Sequence, residues 1–191
     1  MLAGAAWHGT DPGGAQAAAL VVLVTAMAFN GEIRIALYRG RGVVAGATRW
    51  FTRGRYSHAA LLLPCGDVVE ALFRDGVVRR PGGAGLNPGR AVDIYRICGA
   101  TGAQHAEMIA FALAQVGKRY DWKGFLGFVT RGGEAPDRWL CSEIVTAATQ
   151  AARCPIFKCP PHLVSPSMIP WSPRVMLDEL MEVRGHGLAP R

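Results

Sequence analysis

Between Ile33 and Ile97 the chain repeats one pattern, a short apolar run ended by glycine, proline or aspartate. Segments 33–38, 58–63, 68–73 and 91–97 are too short for stable helices and too apolar for loops, so they read as strands. Arg39-Gly40-Arg41-Gly42, Thr52-Arg53-Gly54-Arg55 and Pro64-Cys65-Gly66-Asp67 break the runs, and Asp75-Gly76 turns the third strand into Val77-Val78. Between the first two breaks, apolar residues at 43, 44, 47, 50 and 51 have the spacing of a short helix. The Gly/Pro stretch 80–90 reads as a loop.

Past residue 100 the periodicity becomes helical. Apolar residues at 106, 108, 109, 111, 112 and 113 predict a helix over 105–116, stopped by Gly117. An Ala-rich run predicts a second helix over 140–152, and the spacing after Pro173 a last amphipathic one over 174–183. Segment 120–138 is a glycine-rich connection with aromatics at 120, 122, 125 and 128, and 154–173 is proline-rich. The sum is an α+β single domain over 31–184, an antiparallel sheet flanked by helices, with an apolar extension over 1–30 and a tail over 185–191. A chain of 191 residues, 50% hydrophobic, has enough core for this.

Charge and cysteine usage narrow the partners. A net charge of +7 attracts anionic surfaces such as a cell-wall polymer or lipid headgroups. The arginines at 34, 39, 41, 49, 53 and 55 are spread over a strand, a loop and a helix, without interleaved aromatics, so no nucleic-acid partner is expected. The five cysteines do not form the framework of a small secreted domain, and Cys65 and Cys98 read as structural. Cys154, Cys159 and His162 are one ligand short of a structural zinc site, so neither metal nor cofactor is expected. Segment 15–29 has the length of a signal-peptide core but is short for a membrane span, and no Lys or Arg precedes Arg34. A cytoplasmic or virion-associated protein is favoured over a secreted one. Met27 is a plausible initiator, which would make residues 1–26 dispensable.

Chemistry concentrates where the second helix begins. Cys141 opens it, and a helix N-terminus offers unpaired N–H groups and partial positive charge, both favouring thiolate. Those N–H groups suit the oxyanion of a tetrahedral intermediate as well. Ser142 and Glu143 belong in the first turn, where they cap and complement the dipole. A base is available in His58, at the start of a strand, and an orienting carboxylate in Glu70 on the next. If residues whose numbers sum to about 131 face each other, Glu70 lies opposite Leu61; whether it shares the face of 58, 60 and 62 depends on the register. In a triad of this kind the carboxylate would meet imidazole Nδ1. Taken singly, each residue has a plainer reading: a small buried thiol, a sheet-edge histidine and an arginine's partner.

The combination is more specific. Ser57-His58, Val69-Glu70-Ala71, Gly117-Lys118-Arg119-Tyr120-Asp121 and Leu140-Cys141-Ser142-Glu143-Ile144-Val145, in that order, resemble the circularly permuted, papain-like NlpC-type superfamily of YiiX/YebB-like cysteine hydrolases. The resemblance runs from about residue 33 to 168. It implies a papain-like sheet or barrel packed against helices, with Cys141 as nucleophile, His58 as base and Glu70 as third member. It places Tyr120, with Asp121, Ser142 and Ser57, around the substrate or oxyanion. The implied activity is cleavage of an amide bond, chiefly in a cell-wall peptide. A lipid-directed thiol acyltransferase or esterase and an inactive binding module are the alternatives.

Overall fold

The computed structural model describes residues 31–39, 54–81, 91–121, 138–178, 182–184 and 187–189, the last two segments as backbone. The extension over 1–30 with Met27, the helix expected over 43–51, most of the 80–90 loop and the aromatics at 122, 125 and 128 lie outside them.

The expected strands form at β1 (Arg34–Arg39), β2 (His58–Leu62), β3 (Val68–Leu72), β4 (Gly76–Arg80) and β5 (Ala91–Ile97). Helix α1 (Gly102–Ala114) starts earlier than the apolar spacing predicts. The cause is a capping box: the Thr101 side chain accepts from Gln104 N, and the Gln104 side chain accepts from Thr101 N. Two short strands, β6 (Arg119–Tyr120) and β7 (Arg138–Trp139), then pair in parallel, so the ends of the glycine-rich connection meet. Helix α2 (Cys141–Ala151) follows, with Leu140 as its N-cap residue.

The last helix expected, over 174–183, is a correction: Val175–Leu177 is strand β8 and Glu182–Arg184 is strand β9. The open edge of β5 offers a ladder that a three-residue apolar run can join. Leu177 pairs with Tyr95 and Val175 with Ile97, and Cys98 and Asp178 donate backbone N–H groups to Arg174 and Ile94. Strand β10 (Gly187–Ala189) pairs with β9, so this hairpin crosses the 184/185 boundary.

Six strands form one antiparallel sheet in the order β4-β3-β2-β1-β5-β8. Both faces are buried, which is why β1 and β2 read as continuous apolar runs instead of alternating ones. Ile35, Leu37, Leu61, Val69 and Ala71 face the main core with Met108 of α1 and Ile144, Val145 and Ala148 of α2. Ala36, Tyr38, Ala60, Leu62, Val68 and Ile94 form a smaller core on the other face.

The β2–β3 register differs from the expected one by a single residue. Asp67 is not part of the turn: Leu63 N–H donates to its carbonyl, and Pro64-Cys65-Gly66 make a three-residue loop closed by Gly66 at φ 88°. Leu61 therefore pairs with Val69 and Leu62 with Val68. Continued, this sets Glu70 across from Ala60, on the face shared by His58. The expected register would have sent the two to opposite faces.

Candidate active site

Helix α2 is buried on nearly every side from Cys141 to Thr149, which only small or internally satisfied side chains allow. Thr146 and Thr149 hydroxyls donate to the Ser142 and Thr146 carbonyls, and Glu143 Oε2 accepts the Leu140 N–H at 3.0 Å. Ser142 Oγ donates to Val164 O at 2.6 Å, tying the proline-rich segment to the first turn. The Ser142 side chain, expected near substrate, is thus committed to structure. Ser57 Oγ is likewise engaged, donating to Tyr38 O at 3.3 Å.

The helix start brings Cys141 to His58, whose imidazole hydrogen-bonds the sulfur. On the ring's other side, His58 Nε2 lies 2.7 Å from Glu70 Oε2. The carboxylate therefore meets Nε2 and leaves Nδ1 for sulfur, the reverse of the expected ring orientation. Tyr38, cross-strand from His58, packs its ring on the imidazole at 5.2 Å between centroids. Three residues distant in sequence are in one continuous relay. The β2–β3 ladder pairs Leu62 with Val68 and Leu61 with Val69, and nearer the site the Ala59 N–H, with that of Ser142, donates to the Cys141 sulfur.

Electrostatics favour charge separation. Burial works to raise the Cys141 pKa, but the His58 charge and hydrogen bond, with the two backbone N–H groups, outweigh it and bring the thiol below its ordinary value. Burial works to lower the His58 pKa, yet the sulfur and Glu70 carry it to about 9. Both directions describe a thiolate–imidazolium pair.

Tyr120 sits close enough to feel the Cys141 charge, and burial, with that charge and Asp121, pushes its phenol well above the usual range, so it stays protonated. Asp121 is buried beside it, its N–H donating to Trp139 O at 3.1 Å. Phe73, two-thirds exposed (67%), stacks edge-on against Tyr120 at 5.8 Å. Continued along β2 and β3, the register sets Leu72 across from His58, so Phe73 stands at the rim of the site. Gly76 seats the loop that carries Tyr120. It has φ 73°, Val77 N–H donates to Lys118 O at 2.8 Å, and a Cβ on Gly76 would lie 2.3 Å from that oxygen.

One neighbour goes unnoticed in the sequence. Arg80 Nε lies 2.9 Å from Glu70 Oε1, so the arginine partner that was the plainer reading of Glu70 coexists with His58. The only signal is the β3–β4 register, with Val68 across from Arg80 and Glu70 across from Val78. Cys65, Cys98, Cys154 and Cys159 are all unbridged; Cys154 is buried, with Arg174 Nη1 3.2 Å from its sulfur. Among the described residues no helix is long and apolar enough to cross a membrane. The sequence matches no protein-family model and no curated protein.

Proposed function

We propose that this protein is a cysteine hydrolase, an amidase or peptidase, acting through Cys141, His58 and Glu70. The observation that carries the reading is the unbroken contact from sulfur through imidazole to carboxylate at the start of a buried helix. The thiolate attacks an amide carbonyl carbon, and the oxyanion is held by the Cys141 backbone N–H and the Tyr120 hydroxyl. His58 gives its proton to the leaving amine as the C–N bond breaks, leaving a thioester. His58 then takes a proton from water, which displaces sulfur, releases the acid and restores the ion pair. Glu70 orients the ring and stabilises its charged form. We assign the fold to the permuted papain-like type, with histidine ahead of cysteine in the chain. The resemblance to that group makes a cell-wall peptide the favoured substrate.

A lipid-directed acyltransferase or esterase using the same groups is the second reading, favoured by the exposed Phe73 ring at the rim. The test is turnover of cell-wall peptide fragments and of a short-chain lipid ester by wild type and Cys141→Ala. The wild type should cleave the peptides, and the variant should lose about a thousandfold or more. Cleavage of the ester alone selects the second reading. A Cys141→Ala protein as active as wild type refutes both.

A further inference from the structure

Glu70 is 5% exposed, and each of its oxygens meets a different cation, His58 Nε2 at 2.7 Å and Arg80 Nε at 2.9 Å. We infer that Arg80 is a positioning residue for the Cys141–His58 pair, keeping the Glu70 carboxyl beside the imidazole by ion pairing and balancing its charge. The inference rests on the hydrolase reading above. The Arg80 contact is an ion pair in which Nε makes no hydrogen bond, so it acts by charge: a cation beside Oε1 favours the carboxyl position that keeps Oε2 on the imidazole.

The same charge also acts on the protonation of the pair. In the reactive form Cys141 and Glu70 carry negative charges and His58 a positive one, leaving the buried cluster one negative charge in excess. Arg80 offsets that excess. Among the described residues the other titratable groups at the pair are the Tyr38 phenol from β1 and the Tyr120 phenol and Asp121 carboxyl near β6. The phenols are neutral and Asp121 adds to the negative side, so removing Arg80 has one sign. Every neighbouring group then holds its proton to higher pH.

The hairpin contains its own control. Arg79, on the opposite face, makes a cross-strand pair with Asp67 at the corresponding position of the ladder, a hydrogen-bonded one with Nε to Oδ2 at 2.6 Å. A purely structural Arg80 would behave as Arg79 does.

The experiment measures two pH profiles, iodoacetamide alkylation of Cys141 followed by peptide mass and turnover of the cleaved substrate, in wild type, Arg80→Gln, Arg80→Lys and Arg79→Gln. Arg80→Gln should move the onset of fast alkylation and the alkaline limb of turnover upward together, by about one pH unit. Arg80→Lys should bring both back toward wild type, and Arg79→Gln should leave both in place even where its melting temperature falls. Limbs unmoved in Arg80→Gln, or moved as far in Arg80→Lys, overturn the inference while leaving the hydrolase reading intact. Wild-type Cys141 that alkylates no faster than the exposed Cys65 overturns the hydrolase reading and this inference with it.

Discussion

At the scale of single residues, the pair Cys141 and His58 behaves as one titrating unit, and its two protonation limits have different consequences. Acid protonates the thiolate, so alkylation and turnover both rise from the depressed Cys141 pKa. Near pH 9 His58 loses its proton. The thiolate survives that loss but the leaving amine then has no donor. Turnover should therefore be bell-shaped, with its alkaline limb near the His58 value, while alkylation should stay fast above it. Turnover undiminished at pH 10 would remove His58 as acid. His58→Ala should slow Cys141 alkylation at neutral pH about tenfold or more, since burial alone pushes the thiol up. The three members of the relay were readable as residue types: a cysteine before an apolar helix, a histidine after a turn and a carboxylate in an apolar strand. Arg80 was not, because its relevance is set by a face and a diagonal that no residue type reveals. Ser142 and Ser57 were assigned to the site with the motifs that carry the resemblance, yet their hydroxyls bond to carbonyls of the framework.

At the scale of elements, strands and helices in mid-chain follow from periodicity, and the errors fall where pairing decides. Val175-Met176-Leu177 is apolar enough for a helix face or a strand; the free edge of β5 settles it. Likewise β6 and β7 are two residues each and exist only as a pair. The β3–β4 hairpin shows how an element places chemistry: the consecutive Arg79 and Arg80 point to opposite faces, each to a carboxylate of the β2–β3 region. Its turn also bears on the site, because Gly76 touches the Lys118 carbonyl two residues before Tyr120. Gly76→Ala meets both a left-handed φ and that backbone oxygen. It should lower stability by about 2 kcal/mol or more in urea titration and reduce turnover with it. A midpoint equal to wild type would show that the loop yields.

At the scale of the molecule, the three-residue strand β8 forms one edge of the sheet. Asp178 follows β8, and its Oδ2 accepts from Arg34 Nε at 2.8 Å, both side chains being buried. Glu32, more exposed, takes Nη1 at 2.6 Å. Asp178→Asn removes a charge facing a buried guanidinium, and should cost about 2–4 kcal/mol, read as a lower urea midpoint with an unchanged slope. Changes below about 0.5 kcal/mol would mean that Glu32 alone suffices. The α+β plan was legible throughout, since burial on both faces leaves a continuous apolar signature. What covers and closes the sheet was not, because long-range pairs such as Arg34–Asp178 are separated by most of the chain.

The tight bend formed by Pro64, Cys65 and Gly66 has a reach beyond its own geometry. Strand neighbours alternate sides, so the number of residues in that bend sets whether a carboxyl group stands next to an imidazole or behind a sheet. A chain that gained or lost one residue there would keep its layers and much of its core while parting with the third member of its relay. Segment length at this bend is therefore as much a determinant of reactivity as the identity of the glutamate it delivers.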